Sequence, residues 1–134
     1  MPPEERPAEP CPEVLVVDDE ALVLRLLEMA LPQHGLAVRQ AGGGAEAVAV
    51  YRRHRGSIGV VLLDVRMPGL DGPQTLAALR AIDPGVRCVF MSGDTRGYSA
   101  EQLLGLGAAR VVAKPFRCLA ELAGTLREVA AGQA

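Results

Sequence analysis

Five short apolar runs, each followed by a segment with helical spacing, leave this chain few ways to fold. The runs lie at 14–18, 37–41, 58–64, 86–91 and 110–113, and helices are predicted at about 20–33, 44–54, 73–82, 99–106 and 117–131. Val14-Leu15-Val16-Val17, Val60-Val61-Leu62-Leu63 and Val111-Val112-Ala113 show no alternation of polar and apolar residues. Runs of this kind read as strands buried on both faces, and strand-then-helix repetition reads as a parallel sheet covered on both sides. The second run, Ala37-Val38-Arg39-Gln40-Ala41, is the most polar and best suits an edge.

The punctuation agrees. Gly72-Pro73 places proline at a helix start, where its missing N–H costs nothing. Asp83-Pro84-Gly85 is a turn. Ser99 and Gln102 have the spacing of a capping box ahead of Leu103 and Leu104. Leu119, Leu122, Leu126 and Val129 form one stripe on the last helix. Pro32 is discordant: inside a helix it removes a hydrogen bond and clashes with the carbonyl four residues back, so an early end or a kink is predicted there. The first helix carries more apolar residues than one stripe requires. Leu26, Leu27 and Ala30 are the expected inward set, and Leu24 is the best candidate for the outward face, which so apolar a helix must cover with something.

Charge collects at the ends of the runs. Asp18 and Asp19 close the first, Asp64 the third, and Lys114, followed by Pro115, the fifth. Ligands of open parallel sheets bind outside the carboxyl ends of the strands, so these four residues point to one site. Three crowded carboxylates stay ionised together only when a cation joins them, and an all-oxygen donor set suits Mg²⁺. A lysine beside that cation can hold an anionic oxygen.

Bulk properties exclude much else. The chain has 134 residues, 49 % of them hydrophobic, enough for the core of one domain, and only 3 % aromatic. A net charge of −2 gives no basic field for nucleic acid. No apolar run approaches the ~20 residues that span a membrane, and the Pro-rich, acidic start has no signal-peptide core. Cys11, Cys88 and Cys118 are too few and too scattered for a disulfide framework or a zinc site, which fits reduced thiols in the cytoplasm. Residues 1–12 read as a flexible arm or linker, 13–131 as the domain and 132–134 as a tail.

Four motifs in order carry a resemblance: Val16-Val17-Asp18-Asp19-Glu20; Leu62-Leu63-Asp64-Val65-Arg66-Met67-Pro68-Gly69-Leu70-Asp71-Gly72; Met91-Ser92-Gly93; and Lys114-Pro115-Phe116. Together they resemble the receiver domain of bacterial two-component response regulators, from about Glu13 to Ala131. The resemblance implies an α/β, flavodoxin-like fold in three layers, with a doubly wound five-stranded parallel sheet ordered 2-1-3-4-5. It implies that Asp64 is the phosphoacceptor, an aspartyl nucleophile, and that Asp18, Asp19, Asp64 and the backbone carbonyl of Arg66 hold Mg²⁺. The alternative for Asp19, a helix N-cap, is compatible with this. Lys114, joined to Pro115 by a cis bond, matches the lysine that contacts phosphoryl oxygens, and Ser92 matches the hydroxyl that bonds one of them. The implied partner is a sensor histidine kinase or histidine phosphotransfer protein, in a phosphorelay.

The chain departs from the family at Val111, where an aromatic usually stands. A stiff β-branched side chain is no lever, so aromatic coupling is in doubt there and relay is favoured over switching. Gly42-Gly43-Gly44 lacks the spacing and lysine of a phosphate-binding loop and reads as a turn before a helix. Other readings are a Mg²⁺-dependent phosphatase with an aspartyl nucleophile, a nucleotide-binding module and a non-phosphorylated interaction module. The adjacent acid pair and absent cap domain count against the first. The missing glycine fingerprint counts against the second, and the complete residue set against the third. The receiver is expected to stand alone or to come from a larger regulator or hybrid kinase.

Overall fold

The computed structural model describes residues 12–93 and 97–132. Five strands, β1 (Glu13–Val17), β2 (Ala37–Ala41), β3 (Ile58–Asp64), β4 (Cys88–Ser92) and β5 (Arg110–Ala113), form one parallel sheet in the order 2-1-3-4-5. Five helices, α1 (Ala21–Ala30), α2 (Gly44–His54), α3 (Gly72–Ile82), α4 (Ala100–Gly105) and α5 (Leu119–Ala130), connect and cover them. The expected α/β three-layer architecture is therefore present, with polar β2 at an edge.

The period of the strand sorts the core into two halves. Leu15, Val17, Val61, Leu63, Cys88 and Phe90 face one side, where Ala47 and Tyr51 of α2, Leu76 and Leu79 of α3 and Leu103 of α4 pack on them. Val14, Val16, Val60, Leu62, Val89 and Met91 face the other, against Leu27 of α1 and Leu122, Ala123, Leu126 and Val129 of α5. Each fully buried leucine or valine contributes roughly 1.5–3 kcal/mol relative to exposure, so burial on both faces makes the central strands the rigid part of the molecule.

The residue reading holds for most elements. α1 stops at Ala30, and a short 3-10 turn, Leu31–His34, carries Pro32 near its start, where a missing N–H is harmless. The Ser99–Gln102 capping box is present. A second box at the start of α3 was not anticipated: Asp71 Oδ1 accepts from the Gln74 N–H at 2.9 Å, and Gln74 Oε1 accepts from the Asp71 N–H at 3.0 Å. α5 begins at Leu119 rather than 117, because Cys118 is still extended, with φ −148°. β4 runs two residues later at its start than predicted, after a turn in which the Val86 N–H donates to the Asp83 carbonyl.

Two expectations need correction. In α1 only Leu27 of the presumed inward set is buried; Leu26 is 46 % exposed and Ala30 half-buried. Leu24, presumed outward, packs with Val23 against the core beside Leu27 and Leu31. Leu24 lies three residues before Leu27 and shares its face, whereas Leu26 is turned by one position of the helix. Gly44 is also more than turn material. A Cβ there would lie 2.2 Å from Thr75 Oγ1 and 2.6 Å from Leu70 Cβ, so the glycine lets α2 meet α3. Of the expected arm, residues 1–11 lie outside the described residues, as does Cys11; Cys88 and Cys118 are free thiols.

Candidate functional site

Strand register brings the site together. Val17 pairs with Leu63, so Asp18 and Asp64 leave neighbouring strands at the same level. Ser92 pairs with Ala113, and the Lys114 N–H donates to the Ser92 carbonyl at 3.0 Å, which joins the ends of β4 and β5. One carboxylate oxygen from each of Asp18, Asp19 and Asp64 lies within 4.8 Å of the others. Asp18 is fully buried, Asp64 is 6 % exposed, and Asp19 is open to solvent. Asp19, Asp64, Arg66, Ser92 and Lys114 line one open cleft of about 320 Å³; Asp18 is not in its lining and meets the site through Lys114. The Arg66 side chain is exposed.

Lys114 reaches across the acids. Its Nζ donates to Asp18 Oδ2 at 2.8 Å and lies 3.5 Å from both Asp64 Oδ1 and Glu20 Oε1. The Lys114–Pro115 bond is cis. Burial works to lower the lysine's pKa, but the hydrogen bond to Asp18 and the charges of Asp64, Asp18 and Glu20 outweigh it and raise it. Asp64 is pushed up to about 6, first by burial and then by the charge of Asp18, with Lys114 pulling the other way. Burial and the Asp18 charge thus outweigh the lysine at this carboxyl.

Glu20 was missed, although it directly follows the acid pair. It occupies the N-cap position of α1 without capping it; Asp18 Oδ1 instead accepts the Glu20 N–H at 2.9 Å. Asp19 therefore does not cap the helix, and its carboxylate belongs to the acid cluster.

Gly72 sets the approach of α3 to the end of β3. A Cβ there would lie 2.6 Å from the Asp64 carbonyl and 2.8 Å from Val65 Cα, and the Gly72 N–H donates to the Val65 carbonyl at 2.8 Å. Gly69, at φ +76°, makes the turn between them in a conformation that favours glycine.

Residues 14–126 match the family model described as the response regulator receiver domain. The chain belongs to this receiver domain family. It is 34 % identical over 116 residues to the sensor kinase CckA of Brucella abortus, covering 87 % of this chain and 12 % of that protein. It is 39 % identical over 118 residues to the transcriptional regulatory protein PrrA of Mycobacterium bovis, covering 87 % of this chain and 48 % of that one. The receiver thus spans less than half of either relative. Its fold matches the receiver domain of sensor histidine kinase PA1611 from Pseudomonas aeruginosa, solved with magnesium in the active-site cleft. That match has a TM-score of 0.78 and 28 % identity, over 90 % of this chain and 98 % of that one.

This receiver is a signalling domain of two-component systems, a phosphoacceptor rather than a classical enzyme. Receiver domains take phosphoryl groups from histidine kinases or phosphotransfer proteins and bind Mg²⁺ in the active site. The residues here fit that ion. The donors are carboxylates without cysteine or histidine, and two of them are buried.

Proposed function

We propose that Asp64 accepts the phosphoryl group, from a phosphohistidine of a sensor kinase or phosphotransfer protein. The observation that carries this reading is Lys114 Nζ set between the buried carboxylates of Asp18 and Asp64, in a cleft that Ser92 also lines. A carboxylate oxygen of Asp64 attacks phosphorus, the new O–P bond forms, and the P–N bond to the donor imidazole breaks. The imidazole nitrogen keeps the electron pair and takes a proton from solvent. Asp18, Asp19, Asp64 and the Arg66 carbonyl would hold Mg²⁺, which supplies positive charge against the phosphoryl oxygens when bound. Lys114 moves from Asp18 to a phosphoryl oxygen, and the Ser92 hydroxyl donates to another. Positioning and charge neutralisation do most of the work. The domain catalyses only its own phosphorylation and, by attack of water on the same phosphorus, its own dephosphorylation.

The partner is proposed to dock on the outer face of α1. Leu22, Leu26 and Met29 recur there at spacings of 4 and 3 and are 76 %, 46 % and 66 % exposed, and the helix starts directly after Asp19 and Glu20. Among the described residues no helix is long and apolar enough to cross a membrane; the cytoplasmic setting is proposed from the receiver family. The proposed division is an arm over 1–12, a receiver over 13–131 and a tail over 132–134; the family match over 14–126 supports the receiver.

Incubation with acetyl phosphate followed by intact-mass spectrometry tests the chemistry. One phosphoryl group should appear, only with Mg²⁺ or Mn²⁺, and not on Asp64→Asn. Equal labelling of that variant would move the acceptor elsewhere.

A further inference from the structure

Lys114 is the one lysine of the chain, and three carboxylates face its ammonium group. Asp18 and Asp64 are buried and belong to the acid cluster. Glu20 is the third. Its Oε1 lies 3.5 Å from Lys114 Nζ and its side chain is 63 % exposed. It lines the same cleft as Asp64 and Ser92, yet stands outside the group of acids placed to share a cation. α1 makes no use of this carboxylate as a cap. A glutamate is longer than the Ser, Thr, Asp and Asn side chains that usually fold back on a first turn. The Glu20 main chain serves the helix instead. Its carbonyl accepts the Val23 and Leu24 N–H groups at 3.1 and 3.2 Å, and its own N–H donates to Asp18 Oδ1 at 2.9 Å. The side chain thus reaches Lys114 from a backbone held on both sides.

An ammonium group has three N–H donors. The short bond goes to Asp18 Oδ2 at 2.8 Å, while the Glu20 N–H holds Asp18 Oδ1. Both Asp18 oxygens are therefore engaged, and a cation placed among the acids competes with Lys114 for Asp18. Asp64 is the acid that phosphorylation would modify. Of the three partners, Glu20 alone keeps its charge for the lysine through both events. We propose that Glu20 is a positioning residue that keeps Lys114 over the cleft once Asp18 turns to Mg²⁺, so that the lysine meets a phosphoryl oxygen from a held position. This inference deepens the reading of Asp64 as acceptor and rests on it. A long, flexible lysine stem that is already confined loses less freedom on binding the phosphoryl oxygen. Solvent at the exposed Glu20 carboxylate damps its repulsion of an incoming anion, whereas its contact with the lysine is direct.

With a single lysine in the chain, isotope labelling of lysine Cε gives one NMR signal, whose relaxation reports how tightly Lys114 is held. Without metal, the Asp18 bond should keep that signal rigid in the wild type and in Glu20→Ala alike. With saturating Mg²⁺ it should stay rigid in the wild type and turn mobile in Glu20→Ala. Beryllofluoride, a mimic of the phosphoryl group, should then bind Glu20→Ala about threefold more weakly than the wild type. Glu20→Asp keeps the charge and shortens the reach, so it should behave as Glu20→Ala. Glu20→Gln keeps the length and an acceptor oxygen, so it should lie between Glu20→Ala and the wild type. Equal mobility of Lys114 in the two metal-bound proteins, mimic binding unchanged or tighter in Glu20→Ala, or wild-type behaviour of Glu20→Asp would each overturn the role. Failure of the wild-type protein to bind the mimic, or equal binding by Asp64→Asn, would instead remove the acceptor assignment and this inference with it.

Discussion

Lys114 donates its short hydrogen bond to Asp18, at 2.8 Å, and stands 3.5 Å from Asp64. At rest the lysine bonds Asp18, a proposed metal-site acid, rather than Asp64, the proposed nucleophile. In the proposed mechanism it serves two partners in turn, Asp18 at rest and a phosphoryl oxygen on Asp64 afterwards.

That arrangement predicts the behaviour of Lys114→Gln. Removing one partner of a buried ion pair costs about 3–5 kcal/mol, and an amide that can still donate recovers part of it. We expect a metal-free loss of about 1–3 kcal/mol in denaturant unfolding. Mg²⁺ should then raise the Tm of the variant more than that of the wild type, because the ion meets acids left uncompensated. A smaller metal effect in the variant would show that Lys114 does not neutralise this cluster.

The raised pKa of Asp64 fixes a pH dependence. The folded carboxyl titrates at about 6 and the unfolded one near 3.8. Between these values the folded state holds a proton that the unfolded state has lost. Its stabilising contribution is thus complete below pH 4 and disappears as pH rises through 6. Asp64→Asn should accordingly melt close to the wild type at pH 4 and higher than it at pH 7, both without metal. Asp19→Asn should change stability in the same direction by less, since Asp19 is exposed, and should weaken Mg²⁺ binding. The same titration predicts that Mg²⁺ affinity rises as pH is brought above 6. Calorimetric melting of both variants across this range, with Mg²⁺ titrations, is the measurement. A constant gap between Asp64→Asn and the wild type would rule out the linkage.

Gly72 tests how closely packing supports chemistry. Two of the three atoms that a Cβ would strike belong to the backbone of Asp64 and Val65, and the third is Cε1 of Phe90 at 2.9 Å. Overpacking of this kind typically costs about 1–3 kcal/mol. Gly72→Ala should lower Tm and also slow labelling by acetyl phosphate, because the strand end that must yield carries Asp64. Gly44→Ala, equally crowded but between α2 and α3, should lower Tm with little change in labelling rate. Equal slowing in both variants would mean that the effect is general destabilisation.

Much of this was legible because it is local. Val14 to Val17 are all buried, and a run without alternation says so directly. Asp18, Asp64 and Lys114 could be placed at strand ends from the runs they close, and the family resemblance brought those ends together. The features that escaped depend on distant residues or on phase. Glu20 meets a lysine 94 positions away, and Tyr98 meets an acid 27 positions away. The space Gly44 leaves is filled from Thr75 and Leu70, which no local pattern around Gly42 to Gly44 could reveal. The Asp71–Gln74 box had the right spacing and went unread beside the Gly72-Pro73 signal. In α1, so many positions are apolar that spacing alone did not fix which face turns inward.

That phase now determines the docking test. Leu22 and Met29 are the most exposed large apolar residues of α1, whereas Leu24 packs on the core and its carbonyl accepts a hydrogen bond from Gln40 Nε2. Leu22→Lys and Met29→Lys should change stability by within about 0.5 kcal/mol, as surface substitutions do. They should slow phosphotransfer from a cognate kinase or phosphotransfer protein while acetyl phosphate labelling stays at the wild-type rate. Leu24→Lys, by contrast, should lower Tm, because it drives a charge toward the apolar contacts of Val23, Leu27 and Leu31. Comparing the two phosphodonors separates docking from chemistry. Equal slowing with both donors in Leu22→Lys would indicate damage to the site that begins at Asp18, three residues before α1. Unchanged transfer from the partner in both surface variants would place docking on another face.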